Sequence, residues 1–264
     1  MSQVEEYCSR IVELIRLRTF PLAIKLITND EIPEGSIRPL KDLGYHLAMC
    51  QAFAIARREG KVIVMMKQDN WCFEPVIGLG MAEAPQLFLE GYNRYPNDVM
   101  TKEAGEYWAR YEFPRLKPGS CSGIIISPLN KVSKAKITPD VVLMYVDPAQ
   151  LTILALAAAY KNGKDISCKI SSHAACVYST VPVLKDNEPK VALPCLGDRQ
   201  NAYAQDYELI FSIPYRFLSD LVNGIEFLAK SGRIIPFPAR VRLEYEQRKE
   251  YKVLGRLVGL DIPE

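Results

Sequence analysis

Two separated stretches of the chain share one layout, and this repeat is the feature that most constrains the fold. In the first stretch, Cys50 lies in a predicted helix, a charged turn and the apolar strand VIVMM follow, and Cys72 comes just past the strand. In the second, Cys176 lies in a helical stretch, a charged turn and the short run VALP follow, and Cys195 comes next. If the two stretches are related units of one sheet, their four cysteines converge at one end of that sheet.

Short apolar strands alternate with helices along most of the chain. The run DVVLMYV at 140–146 is nearly all apolar, which is typical of a central strand covered on both faces. Asp147 and Pro148 then predict the start of a helix, because they suit its N-cap and first position. We therefore predict an α/β to α+β fold with a mixed β-sheet flanked by helices and an internal pseudo-repeat. Residues 1–235 form the single domain, and 236–264 form a C-terminal helical tail.

Composition excludes several classes of protein. The chain has 33 basic and 31 acidic residues, a net charge of +2, so nothing in it attracts nucleic acid in general. Its most apolar segment, Leu151 to Tyr160, is shorter than the roughly 20 residues of a membrane-spanning helix, and we predict a buried helix instead. The N-terminus lacks the pattern of a secretory signal, so we expect a cytoplasmic protein with no membrane partner.

The four repeated cysteines suggest a metal centre. Their thiolates would repel one another and raise each pKa above the usual value of about 8.5, and a bound cation removes that cost. Either a [4Fe–4S] cluster or a structural zinc fits four cysteine ligands. We favour the cluster, because zinc sites usually show paired cysteines two to four residues apart and this chain has none. The alternatives are that all four are small buried hydrophobic residues without a metal, or that they are reactive thiols.

The remaining three cysteines, Cys8, Cys121 and Cys168, are predicted to be structural. Of the two histidines, His173 lies three residues before Cys176 and is a candidate ligand or acid–base group, or else a structural histidine. His46 lies four residues before Cys50 and is expected on the same helix face, with the same alternatives.

A second kind of site is also consistent with the sequence. Lys25 lies inside an apolar strand, and Trp71 follows another strand. Cys195 ends a short apolar run, and Gly197, Asp198 and Arg199 after it predict a loop that presents side chains. A pocket for a small molecule or cofactor without redox chemistry could be lined by Lys25, Trp71, Asp198 and Arg199. The charged residues after Cys195 could equally form internal salt bridges. Hydrolase motifs such as GxSxG and HExxH are absent, so the sequence assigns no reaction.

The chain resembles the domain of unknown function 169 family over roughly Arg16 to Lys230. The resemblance is carried by five segments: CQAFAIARREGK at 50–61, PDVVLMYVDPAQ at 139–150, HAACV at 173–177, PCLGDR at 194–199 and QDYELIFSIP at 205–214. It implies a shared fold and intracellular life, largely in archaea and anaerobic bacteria, rather than a reaction.

The family pattern also implies a shared site. It includes cysteines that match Cys50, Cys72, Cys176 and Cys195, and a Gly-x-Arg that matches Gly197 and Arg199. This chain departs from the pattern in two places: Leu196 replaces an often polar residue, and Tyr207 replaces a frequent acidic one.

The sequence therefore predicts a cytoplasmic iron–sulfur protein of anaerobic metabolism that transfers electrons or activates a small molecule. Its partner would be an unidentified small molecule or redox protein. The alternative is a non-redox small-molecule or cofactor binder with structural cysteines. The aromatic segment from Tyr92 to Pro118 and the charged tail could form contacts in a homo-oligomer.

Overall fold

A computed structural model of the chain describes residues 2–28, 32–234 and 248–260. The chain divides into two compact units, Met1–Ile234 and Ile235–Glu264. Only part of the second unit is described, and there Lys249–Leu257 forms a helix. The predicted C-terminal helical tail, 236–264, lies partly outside the described residues.

One sheet forms the centre of the first unit. Its six strands are β1 (Leu22–Ile27), β2 (Ile63–Met66), β3 (Gly123–Pro128), β4 (Val141–Val146), β5 (Lys190–Ala192) and β6 (Leu209–Pro214). They lie in the order β2-β3-β1-β4-β6-β5, and each neighbouring pair is antiparallel. Two isolated parallel bridges, Ile37 with Ile63 and Leu47 with Asn70, add parallel pairing near β2. The predicted α+β fold with one helix-flanked sheet is confirmed.

Helices cover both faces of this sheet. In chain order the described helices of the first unit are α1 (Gln3–Ile15), α2 (Met49–Glu59), α3 (Phe73–Gly78), α4 (Gln86–Leu89), α5 (Lys102–Tyr107), α6 (Pro148–Ala159), α7 (Ala175–Tyr178), α8 (Val181–Asp186), α9 (Leu196–Ala202) and α10 (Leu218–Lys230). The helix of the second unit, Lys249–Leu257, is α11. Side chains alternate along a strand. In β4, Leu143 and Tyr145 therefore pack with α2, α3, α7 and α8, whereas Val142 and Met144 pack with α1, α6 and α10.

Local sequence signals explain where two of these helices begin. Ser2 and Glu5 form a capping box at α1, and Asp147 and Gln150 form another at α6. The prediction that 151–160 is a buried helix is wrong, although the helix itself is present. Only Leu154 and Ala157 of α6 are buried, because the helix lies on the surface of the sheet with one face outward. No helix in the described part of the chain is long and apolar enough to span a membrane.

The first unit is an internal repeat. Strands β1 to β3 form one half of the sheet in the order β2-β3-β1, and β4 to β6 form the other in the reverse order, β4-β6-β5. The halves meet where β1 pairs antiparallel with β4, with Ala23 opposite Val142. Such an arrangement has an approximate two-fold axis between β1 and β4.

Backbone hydrogen bonds repeat in the two halves as well. The Leu129 amide, just after β3, donates to the Pro21 carbonyl just before β1, at 2.8 Å. The Tyr215 amide, just after β6, donates to the Asp140 carbonyl just before β4, at 3.0 Å. In each half, the residue after the third strand is therefore hydrogen-bonded to the residue before the first strand. This equivalence shows that the predicted pseudo-repeat is present.

Helix α10 packs closely on α6 through a glycine. A Cβ atom on Gly224 would lie 2.4 Å from the Ala157 carbonyl oxygen, so Gly224→Ala should force the helices apart. We expect this variant to lose about 1–3 kcal/mol of unfolding free energy in urea titrations. Gly197→Ala in α9 is the control, because the nearest atom to its added Cβ, Asn201 Nδ2, is 3.7 Å away. It should be neutral or gain up to about 1 kcal/mol through helix propensity, and equal losses in both variants would contradict this packing.

Candidate functional site

The four repeated cysteines occupy equivalent positions in the two halves. Cys50 and Cys176 are the second residues of α2 and α7. Cys72 and Cys195 are the N-cap residues of α3 and α9. Each half thus supplies one cysteine from the first turn of a helix and one from the N-cap of the helix that follows the second strand of that half.

Two local predictions at this site are wrong. PCLGDR was expected to be a loop after a strand, but residues 196–202 form α9, so Gly197 and Arg199 are helical. His46 was expected on the face of the Cys50 helix, but α2 begins only at Met49. The His46 Nδ1 atom instead lies 2.9 Å from the Gln68 carbonyl oxygen, and the ring is exposed.

All four cysteines line one cavity of about 160 Å³. Cys50 and Cys176 are buried, and Cys72 and Cys195 are half-buried. The other lining residues are Ala48, Met49, Trp71, Glu74, Ser172, His173, Ala174, Leu196, Gly197 and Asn201. The structure therefore brings together the four cysteines that the sequence predicted to converge.

The cysteine sulfurs form hydrogen bonds around this cavity, and one of these bonds joins the two halves. The Cys50 thiol donates to the Gly197 carbonyl in the other half, with 3.7 Å between sulfur and oxygen. The Cys195 sulfur accepts backbone N–H groups from Ala175 and Asp198. These N–H groups stabilise negative charge on the sulfur, so the backbone favours a thiolate at Cys195.

The environment otherwise disfavours thiolates. Burial raises the pKa of Cys176 well above its ordinary value, and the neighbouring Cys72, Cys195 and Cys50 raise it further. Burial and the charge of Glu74 raise the pKa of Cys72 to about 12. The pKa of Cys50 is raised by burial first and then by Asp198, Cys195 and Cys72. Without a compensating cation these thiols stay protonated at neutral pH.

A buried polar network extends from the cavity into the core. Arg57 of α2 pairs with Glu208 through two hydrogen bonds of 2.6 and 2.9 Å, and its guanidinium stacks 3.8 Å from the Tyr145 ring centroid. The Tyr145 hydroxyl donates to Asp198 at 2.8 Å. Burial raises the pKa of Asp198 to about 6. Sequence reasoning missed Arg57, because it begins the charged run Arg57-Arg58-Glu59 and nothing in that run marks it as buried.

Two other predicted site residues lie at the cavity wall. His173 stands between two carboxylates, with Nδ1 3.8 Å from Glu74 Oε1 and Nε2 3.6 Å from Asp98 Oδ2. Trp71 is 54% exposed, and its indole N–H donates to Gln51 at 3.2 Å. Both side chains are therefore placed where a ligand in the cavity would meet them.

Three predicted binding residues, Lys25, Asp198 and Arg199, do not line this cavity, and Asp198 belongs to the buried network. Lys25 forms an ion pair with Asp140, with 3.0 Å between Nζ and Oδ1, and lines a different cavity. Arg199 donates to the Gln205 carbonyl at 3.0 Å, and it is absent from the wall of the cysteine cavity. The proposed pocket of Lys25, Trp71, Asp198 and Arg199 is thus not assembled.

The charged residues after Cys195 form internal contacts in two groups. Glu208 pairs with Arg57 of the other half and Asp198 accepts the Tyr145 hydroxyl, so both belong to the buried network around Arg57. Arg199 lies 3.6 Å from Asp206, which is exposed.

The cavity does not form a site for a single ion. Among residues 2–28, 32–234 and 248–260, no group of three or more Cys, His, Asp or Glu side chains is arranged so that it could hold one metal ion. The four cysteines instead surround an open volume.

The three other cysteines differ in exposure. Cys8 and Cys121 are buried, as expected of structural residues, whereas Cys168 is exposed, so its structural assignment is wrong. Burial raises the pKa of Cys8 and of Cys121 to about 11. Burial and the raised pKa therefore both protect the Cys8 and Cys121 thiols against alkylation and oxidation.

This difference predicts selective alkylation. In the folded protein at neutral pH, N-ethylmaleimide should label Cys168 within minutes and leave Cys8 and Cys121 unmodified. Unfolding in urea should expose all three, and peptide mass mapping separates the sites. Labelling of Cys8 or Cys121 as fast as Cys168 in the folded state would contradict the burial described above.

Comparison with known proteins adds one match. The sequence profile of the domain of unknown function 169 family, described as "Uncharacterised ArCR", matches residues 10–224. Searches of curated proteins and of solved structures each find no match. The matched range contains all six strands and the four cysteines of the cavity. The chain therefore belongs to the domain of unknown function 169 family.

Proposed function

We propose that Cys50, Cys72, Cys176 and Cys195 bind a [4Fe–4S] cluster, and that the protein transfers electrons or activates a small molecule at it. One observation carries the proposal: cysteines from equivalent positions in the two halves line a single cavity.

The electrostatics of the cavity support a bound cationic centre. Burial raises the pKa of each of the four thiols, and neighbouring thiols raise the pKa values of Cys50, Cys72 and Cys176 further. Positive charge among them would favour ionised sulfur, and the protons would be released on binding. The N–H groups that point at Cys195 already suit a thiolate ligand.

The size of the cavity favours a cluster over zinc. Zinc–sulfur bonds are about 2.3 Å long, so four sulfurs around one zinc close to within about 4 Å of each other. The cavity of about 160 Å³ has room for several water molecules, which exceeds what one ion occupies. A [4Fe–4S] cluster takes four cysteine ligands and fills more space.

The residues around the cavity are consistent with both proposed roles, electron transfer and activation of a small molecule. A cluster held by four cysteines supplies electron transfer when bound. Trp71 and Leu196, both more than half exposed, form an apolar rim at the cavity. His173 and Glu74 present polar atoms on the cavity wall, where they could orient a small molecule.

The alternative, a non-redox binder with structural cysteines, has less support. Of its four predicted pocket residues only Trp71 lines the cysteine cavity. Lys25 is paired with Asp140, and Arg199 is directed to the Gln205 carbonyl. We therefore keep the cluster as the proposed function.

Iron and sulfide analysis tests the proposal. Protein purified or reconstituted anaerobically should be brown, with iron and acid-labile sulfide in similar amounts. Cys176→Ser should lose most of both, because it removes one ligand from a buried position. Cys168→Ser is the matched control and should keep both, since Cys168 is exposed and outside the cavity.

Circular dichroism should show that both variants are folded before the metal content is compared. Colourless wild-type protein without iron or sulfide would contradict the proposal. Equal iron and sulfide in wild type and Cys176→Ser would contradict the assigned ligands.

A further inference from the structure

A second cavity, of about 550 Å³, lies beside the cysteine site. Its walls come from three stretches of chain, 110–115, 167–169 and 178–190. Helix α7 contributes to both cavities, with Cys176 lining the first and Tyr178 lining the second. We call this second cavity the basic cleft. Its volume is in the range of small-molecule sites.

Positive charge predominates in the basic cleft. Five basic side chains and two acidic ones line it: Arg110, Arg115, Lys169, Lys185 and Lys190, with Glu112 and Asp186. Both carboxylates are already paired, Glu112 with Lys169 and Asp186 with Lys190. An acidic side chain outside the cleft, Glu106, pairs with Arg110.

Two cations of the cleft lack a carboxylate partner. Within the described residues, neither Arg115 nor Lys185 forms a salt bridge. The Arg115 guanidinium donates only to backbone carbonyls, of Ala109 at 2.8 Å and of Arg110 at 3.3 Å. Burial lowers the pKa of Arg115, and the positive charge of Arg110 lowers it further. An anion in the cleft would relieve this repulsion.

The cleft also has apolar and hydroxyl-bearing walls. Tyr111 is 70% exposed, and Tyr178 directs its hydroxyl to the Glu112 carbonyl at 2.9 Å. Lys190 is nearly buried, with Nζ 2.7 Å from Asp186 and 3.2 Å from the Ser167 carbonyl. The walls therefore combine fixed cations with an aromatic surface, which suits a ligand that carries both phosphate and an organic body.

We propose that the basic cleft binds an organic phosphate, with Arg115 and Lys185 contacting the phosphate and Tyr111 contacting the organic part. The site is separate from the cysteine cavity, so the proposal does not depend on the cluster. It can be tested on protein without any metal.

Isothermal titration with ADP and with adenosine tests this assignment. ADP should bind in the titration and should raise the melting temperature of the protein in a thermal unfolding measurement. Adenosine should bind at least about tenfold more weakly, because it lacks the negative charge of the phosphates. Raising the salt concentration from about 0.05 to about 0.3 M should weaken ADP binding.

Two lysine variants localise the effect. Lys185→Gln removes an exposed charge from the cleft and should weaken ADP binding about fivefold. Lys41→Gln removes an exposed lysine outside the cleft and should leave binding unchanged. The proposal is overturned if ADP does not bind at millimolar concentration, if adenosine binds as tightly, or if both lysine variants weaken binding equally.

Discussion

The antiparallel pairing of β1 with β4 is the interaction on which the rest of the structure depends. Each of these strands begins one half of the repeat, and Ala23 faces Val142 at the point where the halves meet. The pairing relates the two halves by one approximate two-fold axis. Equivalent helices such as α2 and α7 therefore lie on the same face of the sheet, one on each side of that axis. Cys50 and Cys176 are buried at one cavity for this reason, although 126 positions separate them in the sequence. The site is thus formed by both halves of the repeat and belongs to neither half alone.

A buried ion pair between Arg57 and Glu208 connects the two halves in the core next to that site. Arg57 belongs to the first half and Glu208 to the second, and both are almost fully buried. Removing one partner of such a pair typically costs about 3–5 kcal/mol, because the other charge is left unpaired. The Arg57 guanidinium also stacks on Tyr145, which bonds Asp198. The network therefore ties α2, which carries Cys50, to α9, which follows Cys195.

Local patterns in the sequence were sufficient for much of the fold. The apolar run of β4, the capping box at Ser2 and the Asp147-Pro148 start of α6 are determined by neighbouring residues, so each could be predicted. The four-cysteine convergence could also be predicted, because the repeat itself is visible in the spacing of the cysteines.

Features that depend on distant contacts could not be predicted in the same way. Lys25 was a candidate binding residue, but Asp140, 115 positions away, neutralises it. The role of Arg57 depends on Glu208 across the sheet, and the helix after Cys195 replaces the loop that glycine and charged residues suggested. The sequence alone also contained no sign that 110–115 and 178–190 would share a cleft.

The central claim is that the cysteines of both halves share one iron-containing centre. Anomalous diffraction at the iron absorption edge, from crystals of anaerobically purified protein, tests it most directly. One strong iron peak is expected in the cavity, in contact with Cys50 and Cys72 from the first half and with Cys176 and Cys195 from the second. An empty cavity, or iron bound to the cysteines of one half only, would contradict the central claim.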